Sequence, residues 1–207
     1  LNVGQGDAAL IQSPTGKVVL IDAGPRGANQ VITKVLTDHG IKHIDLALIT
    51  HAHADHIGGF EGVLKAVSIG LVLDPGVAHG TATYRNLLSA LKKAEVPVKR
   101  GERGRRIGLG SGAVLTLLGP EAPLLRGTRS DLNSNSLVAQ LTFQDVSVLF
   151  MGDAEGETEA RLMAHGDLKP VTVLKVAHHG SEHSTSSQWL KAVAPKVGVI
   201  SCGLNNR

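Results

Sequence analysis

The chain has 207 residues, which suits one domain with a substantial hydrophobic core. Hydrophobic residues make up 42% of the sequence, a share that excludes global disorder. Aromatic residues make up 2%, which argues against an extended surface on which nucleic-acid bases could stack. Cys202 is the single cysteine, so an intrachain disulfide is excluded. No apolar run approaches the roughly 20 residues that a membrane-spanning helix needs.

The formal net charge of +3 is unevenly distributed along the chain. Residues 92–106, which we call the basic segment, contain seven basic side chains and two acidic ones. A basic surface of this kind can attract a polyanion such as a nucleic acid. It can equally be a solvated helix end and loop, and both interpretations stay open at this point.

Hydrophobic periodicity predicts alternating strands and helices, because short apolar runs indicate strands and amphipathic spacing indicates helices. In the first half we expect strands at 17–21, 46–49 and 71–73, and helices at 30–37, 60–67 and 84–94, the last with Leu87, Leu88 and Leu91 inward. In the second half we expect a strand at 113–118, a hairpin of 137–143 and 146–151, helices at 155–164 and 186–193, and strands at 171–176 and 197–201.

The residues that follow these strands repeat in order. Asp22 and Asp153 each follow a short apolar strand, and His51 and the pair His178-His179 each follow the next strand along the chain. Two such halves would face each other as two sheets with helices outside, and their loops would meet at one edge. The sequence therefore predicts one site that is assembled from four loops.

The strongest chemical signal is His51-Ala52-His53-Ala54-Asp55-His56, directly after a predicted strand. The small alanine spacers permit a tight turn, in which His51 and His53 can address one metal ion while Asp55 and His56 address a second. Mixed imidazole and carboxylate ligation suits Zn²⁺, Mn²⁺ or iron rather than Ca²⁺.

Further candidates follow the other strands. Asp153 can bridge two cations about 3.5–4 Å apart, which would activate a water and clamp a phosphoryl or acyl oxygen; a helix cap is its alternative role. We favour His179 as a ligand and His178 as an acid or hydrogen-bond donor on the substrate side. Ser181 could donate a hydrogen bond to a phosphate oxygen, or it could cap the segment that follows it. Asp22 could orient His51, His53 or the attacking water. Its alternative role is that of a plain turn residue.

These residues resemble the metallo-β-lactamase superfamily, and the resemblance covers nearly the whole chain. It implies an α/β fold, a four-layer αβ/βα sandwich, formed as a single domain over residues 1–207. It also implies two divalent metal ions, Zn or Mn, held by His51, His53, Asp55, His56, Asp153 and His179. The residues that we expect to serve catalysis are Asp22, Asp55, His178 and Ser181.

A narrower resemblance is to the C-terminal domain of ComEC, the channel family for DNA uptake in natural competence. The matching stretches are residues 2–8, 133–138, 151–155, 174–181 and 200–207. We therefore expect a domain taken from a longer cell-membrane protein, on the exoplasmic face, with the rest of the channel as its partner. The resemblance implies a nuclease that hydrolyses phosphodiesters of the single DNA strand that is not imported. The substrate-binding candidates are Asn135, Arg103, Arg105 and Arg106.

One departure from the superfamily pattern concerns residues 133–136. Many members carry a metal-binding histidine before the strand that precedes the bridging aspartate, whereas this chain has Asn-Ser-Asn-Ser there. A neutral amide oxygen is a weaker ligand, so the number and identity of the metal ions stay open. Besides the nuclease, two alternatives remain: a small-molecule hydrolase (phosphodiesterase, phosphorylcholine esterase or lactonase) and a non-catalytic module that guides DNA.

Overall fold

A computed structural model describes residues 1–204 and residue 206, so Asn205 and Arg207, at the end of the last ComEC-like stretch, lie outside it. Within this part of the chain the helices are α1 (Asn29–Asp38), α2 (Ala54–Ile57), α3 (Phe60–Ala66), α4 (Ala82–Lys93), α5 (Gly156–Ala164) and α6 (Ser187–Val193). The strands are β1 (Ala9–Gln12), β2 (Val18–Ile21), β3 (His43–Ile44), β4 (Leu46–Leu48), β5 (Ser68–Ile69), β6 (Val72–Asp74), β7 (Val98–Arg100), β8 (Arg106–Gly110), β9 (Ala113–Gly119), β10 (Val138–Phe143), β11 (Val146–Phe150), β12 (Val173–Lys175) and β13 (Val197–Val199).

The strands form two large mixed sheets. The five-stranded sheet has the order β1-β2-β4-β6-β7, in which β1 is antiparallel to β2 and the other neighbours are parallel. The six-stranded sheet has the order β13-β12-β11-β10-β9-β8, in which β11, β12 and β13 are parallel and the remaining pairs are antiparallel. The short strands β3 and β5 pair separately.

In the residues that the structure describes, we find no helix with the length and apolar character to cross a bilayer.

Alternating side chains sort the core into layers, since successive residues of a strand face opposite sides of its sheet. In β2, Val19 and Ile21 pack between the two sheets, whereas Val18 and Leu20 pack under the helices. The helices α1, α3 and α4 cover the five-stranded sheet, and α5 and α6 cover the outer face of the six-stranded sheet. This arrangement is helix, sheet, sheet, helix, and it confirms the predicted four-layer αβ/βα sandwich.

The predicted elements agree with the structure to within about two residues, with two kinds of exception. The strands β1, β3, β5, β7 and β8 and the short helix α2 were not predicted. The strands β3 and β5 have two residues each, and β7 and β8 lie in and beside the basic segment, where charged edge positions hide the strand pattern. The prediction that Leu88 faces inward was wrong, because it is 38% exposed. Tyr84, Leu87 and Leu91, at a helical spacing of three and four, form the buried stripe of α4 instead.

Leu115 tests the packing between the sheets, because it is fully buried in the cluster that joins them. We expect Leu115→Ala to lower the free energy of unfolding by about 2–5 kcal/mol, through lost burial and a residual cavity. Urea unfolding measures this loss. The matched control Val31→Ala removes a side chain that is 39% exposed on α1, and it should change the stability by less than about 0.5 kcal/mol. Equal effects of the two substitutions would contradict the layer assignment.

Candidate metal centre

Four strand ends meet at one edge of the sandwich. In the five-stranded sheet, β2 leads to Asp22 and β4 leads into the turn that begins with His51. In the six-stranded sheet, β11 leads to Asp153, and β12 leads to a 3-10 turn that contains His179. The carboxyl ends of parallel strands lie at a common edge, so the fold brings these four side chains together, and all four are buried.

The first group of potential ligands consists of His51, His53 and Asp153, whose ligand atoms all lie within 4.8 Å of one another. His51 Nε2 lies 3.0 Å from His53 Nδ1 and 3.6 Å from Asp153 Oδ2. Atoms that bind one metal ion at about 2.0–2.2 Å must lie about 3–4 Å apart. The group therefore has the spacing of a metal site with three protein ligands.

The second group consists of Asp7, His56, Asp153 and His179, again with ligand atoms within 4.8 Å of one another. His56 Nε2 lies 3.1 Å from Asp153 Oδ1 and 3.3 Å from His179 Nε2. His179 Nε2 lies 3.6 Å from Asp153 Oδ2. Asp153 belongs to both groups, which is the position that a bridging carboxylate needs; its bridging of two cations stays a prediction.

Asp7 is the ligand candidate that the sequence analysis missed. Its Oδ2 forms an ion pair with Lys175 Nζ at 2.6 Å. Its Oδ1 is buried without a hydrogen-bond partner among the described residues, which leaves this oxygen available to a cation. Gly6 allows the close approach, because a Cβ there would lie 2.2 Å from the carbonyl oxygen of Asp55. The glycine-rich stretch before Asp7 was a signal, but no predicted strand precedes it.

Asp55 lies at the rim of the centre rather than inside either group. Its carboxylate is 36% exposed, and its Oδ2 lies 3.3 Å from His179 Nε2. Burial alone would raise the pKa of Asp55, but the hydrogen bond from His179 and the charge of His56 lower it to about 2. Asp55 is therefore an ionised acceptor at neutral pH, and its metal ligation stays a prediction.

Asp22 supports the centre through His56. Its Oδ2 accepts a hydrogen bond from His56 Nδ1 at 2.8 Å, and its carboxylate also accepts from the backbone N–H and hydroxyl of Thr50 at 2.8 and 2.6 Å. From the sequence, His51, His53 or the attacking water was the expected partner of Asp22. The short helix α2 turns His56 toward Asp22 instead. A carboxylate behind a ligating imidazole fixes the direction of the ring.

The protonation states of His51 and His56 indicate which charge the buried centre requires. Burial, together with the charge of His56, lowers the pKa of His51 well below its usual value, so this imidazole is neutral and can donate to a metal ion. Burial would also lower the pKa of His56, but the carboxylates of Asp153 and Asp22 raise it well above its usual value. His56 thus carries positive charge between buried carboxylates. Buried anions require compensating charge, and a divalent cation suits this donor set.

Beside the ligand groups, a second cluster surrounds His178. Its Nε2 lies 3.8 Å from Asp153 Oδ2, and its Nδ1 lies 3.4 Å from Glu155 Oε1. Glu155 is buried, forms an ion pair with Arg129, and accepts from Asn133 Nδ2 at 3.0 Å. From the sequence, Glu155 was predicted only as the first residue of a helix. His178 lies outside both ligand groups, and its place on the substrate side stays a prediction.

Ser181 and Asn135 have structural contacts in this structure. The hydroxyl of Ser181 accepts from the backbone N–H of His183 at 3.3 Å. The amide of Asn135 bonds the backbone N–H and C=O of Leu125, and donates to the carbonyl of Asp131. Asn135 is buried and pins the loop before the 3-10 turn Asn133–Asn135. Roles for Ser181 and Asn135 at a substrate stay predictions.

The three arginines of the basic segment differ in their contacts. Arg103 donates to the carbonyl of Leu118 and pairs with Asp167. Arg105 donates to the carbonyl of Arg100 at 3.1 Å. Arg106 is exposed at the start of β8. Substrate binding by these arginines stays a prediction as well.

Residues 1–204 match the metallo-β-lactamase superfamily, and the chain belongs to it. The fold and the ligand groups together indicate a metal-dependent hydrolase of this class, with a His/Asp cluster that can hold divalent ions.

The relatives confirm the narrower resemblance to the ComEC competence family. The chain is 31% identical over 224 residues to ComE operon protein 3 of Bacillus subtilis (strain 168), covering 100% of this chain and 28% of that protein. It is 27% identical over 208 residues to Competence protein ComA of Neisseria gonorrhoeae, covering 99% of this chain and 27% of that protein. The chain thus spans little more than a quarter of either relative.

A solved structure shows the same fold at low sequence identity. CmlA, a diiron β-hydroxylase from Streptomyces venezuelae, aligns with a TM-score of 0.55 and 16% identity, over 97% of this chain and 45% of that chain. At this identity the likeness concerns the fold alone.

Asp22→Asn tests the support of His56. An amide in place of the carboxylate weakens the hydrogen bond that fixes the ring, so we expect about 10–100-fold weaker metal binding. Titration with Zn²⁺ or Mn²⁺ against a competing chelator measures this. Asp38→Asn, an exposed aspartate at the end of α1, is the matched control and should bind like the unmodified chain. Unchanged affinity in a folded Asp22→Asn variant would show that Asp22 does not support a ligand.

Metal binding should release protons. Without metal, the pKa values of His56 and His179 are raised: burial opposes this, but neighbouring carboxylates outweigh it. A ligating imidazole must be neutral at the ligating atom, so affinity should increase with pH while these groups lose their protons. Calorimetry at pH 7 in buffers with different ionisation enthalpies detects the release. Equal heats in all buffers would contradict the assignment of these histidines as ligands.

Proposed function

We propose that this chain is a metal-dependent phosphodiesterase that cleaves single-stranded DNA, the nuclease domain of a DNA-uptake protein. The observation that carries the proposal is the carboxylate of Asp153, shared between two groups of ligands. Two cations held by these groups would supply an activated water and would neutralise the charge that develops on a phosphodiester. The ligand residues would be His51, His53, Asp7, His56, His179 and the shared Asp153, with Asp55 completing the second group.

The remaining polar residues of the centre bind and orient. Asp55 stays ionised at neutral pH, so its carboxylate can accept a hydrogen bond from the attacking water. His178 presents Nε2 on the substrate side, where it can hydrogen-bond an oxygen of the phosphodiester. Glu155 lies behind the Nδ1 of His178, held in turn by Arg129 and Asn133.

The basic segment offers a path for the DNA backbone to the centre. It crosses from β7, at the edge of one sheet, to β8, at the edge of the other. Arg100 packs against Gly76, since a Cβ at position 76 would lie 3.1 Å from Arg100 Cδ. The loop between β6 and α4, which contains Gly76, also contains His79. The ring centroid of His79 is 5.9 Å from that of His53. Contacts of arginine with phosphates fix the position of a strand without reading its sequence.

The relatives support the setting of this reaction. ComE operon protein 3 and Competence protein ComA are much longer than this chain. We place the domain within a longer membrane protein, on the exoplasmic face, where it would meet the strand that is not imported. The rest of the channel protein would be its partner.

Asp55→Ala tests the reaction. Removing the rim carboxylate should abolish cleavage of circular single-stranded DNA in Mn²⁺ and in Zn²⁺, because the water loses its ionised acceptor. Gel electrophoresis of the products measures cleavage, and Asp38→Asn should cleave like the unmodified chain. Full activity of Asp55→Ala would contradict the assigned role.

The same assay separates the alternative functions. Turnover of a small phosphodiester without DNA cleavage would indicate a small-molecule hydrolase. Salt-sensitive DNA binding without turnover of either substrate would indicate a module that guides DNA.

Arg105 and Arg106 test the path of the DNA. Each phosphate contact to a single strand contributes about 0.7 to the slope of log affinity against log salt concentration. The double substitution of these arginines to alanine should therefore lower that slope by about 1.4, measured by fluorescence anisotropy in EDTA. Lys196→Ala, an exposed lysine just before β13 at the opposite end of the strands, should leave the slope unchanged. An unchanged slope in the double variant would exclude these two residues as phosphate contacts.

A further inference from the structure

A cavity of about 320 Å³ opens beside Asp55, on the helix-covered side of the five-stranded sheet. Its walls come from the turn before α1, from α2, from α4 and from α3, which contributes Glu61. The lining residues that matter here are Pro25, Arg26, Asp55, Thr83, Asn86 and Leu87. Small-molecule sites have volumes of about 300–1,000 Å³, so this cavity is large enough for one small ligand but not for a polymer.

The walls of the cavity are apolar on one part and polar on another. Pro25, which is half-buried, and Ala54, which is exposed, offer apolar surface to a flat ring. Asn86 and Arg26 are exposed side chains, and within the described part of the chain neither the amide nor the guanidinium makes a hydrogen bond or an ion pair. An asparagine amide can pair with the donor and acceptor on the edge of a base, and adenine is its preferred partner. An apolar wall beside an unused amide edge therefore suits a nucleobase.

Asp55 joins this cavity to the metal centre. It lines the cavity, and its Oδ2 lies 3.3 Å from His179 Nε2. The helix that carries it, α2, has four residues, so the cavity and the ligand groups lie on two sides of one turn of helix. Asp55 therefore borders both places, so a ligand in the cavity would lie beside the second ligand group.

We propose that this cavity is a nucleoside subsite, which holds the deoxynucleoside next to the scissile phosphate, with Asn86 at the edge of the base and Arg26 beside it. The inference rests on the proposed function and deepens it. A base must be unpaired and unstacked to enter a cavity, so the subsite also gives a physical reason for a preference for single strands.

Two substrates with the same leaving group isolate the contribution of the nucleoside: deoxyadenosine 5′-(p-nitrophenyl phosphate) and methyl p-nitrophenyl phosphate. The metal-loaded chain should prefer the nucleoside ester in kcat/KM. Asn86→Ala should reduce this preference about tenfold, mainly through KM, and leave the methyl ester unaffected. Ser89→Ala, which changes an exposed residue of the same helix outside the cavity lining, should keep the preference.

A binding measurement separates this proposal from the proposed function. Titration of the metal-free chain with deoxyadenosine monophosphate, followed by NMR, should shift the side-chain amide of Asn86 in a saturable manner, and Arg26→Ala should weaken that binding. If both esters are hydrolysed with the same preference in Asn86→Ala as in the unmodified chain, the subsite is overturned while the hydrolase stands. If neither ester is hydrolysed, the proposed function fails, and the NMR titration alone supports or overturns the subsite.

Discussion

Asp153 carries a buried carboxylate from the end of β11 to a point where imidazoles from both sheets converge. His51 and His56 come from the five-stranded sheet, and His179 comes from the six-stranded sheet. An ionised carboxylate loses several kcal/mol of hydration when it is buried, and it is tolerated only where charges and hydrogen bonds compensate. The contacts around Asp153 supply that compensation, and they hold the two halves of the sandwich in register at the edge where the chemistry takes place.

Hydrogen bonds and an ion pair also hold the residues that surround Asp153. Asp22 and Thr50 fix His56 from behind, the carbonyl of Ser201 contacts His179 Nδ1 at 2.9 Å, and Lys175 pairs with Asp7. Strained backbone accompanies this arrangement: Asp22, His178 and His179 have φ values of 56°, 48° and 54°, in the left-handed region. Such conformations persist where surrounding contacts over-determine them, and they cluster at functional sites.

The sequence predicted the parts of the site that depend on strand ends. Asp22, His51, Asp153 and His179 each follow a regular apolar strand, so periodicity alone placed them at one edge. Asp7 escaped prediction because it lies in an irregular glycine-rich stretch, and its position depends on the approach of Gly6 to Asp55. The partner of Asp22 could not be chosen either, since the turn of α2 decides which of three histidines faces it.

Away from the core, the sequence pattern was less informative. In β7, the residues Val98–Arg100 are exposed on both faces, so no alternation of apolar and polar residues marks them as a strand. Glu155 has the position and charge of an ordinary residue at a helix start, and only tertiary packing against Asn133 and His178 gives it another role. Local pattern therefore predicted the layers and the strand ends that meet at the centre, whereas long-range contacts determine the surroundings of His178.

The central proposal is that Asp153 would contribute a ligand to each of two cation sites. Anomalous diffraction from crystals of the Mn²⁺-loaded chain tests it most directly. The account predicts two peaks about 3.5–4 Å apart, one beside His51 and His53, the other beside His56 and His179, with Asp153 in contact with both. A single peak, or two peaks that Asp153 does not join, would contradict it.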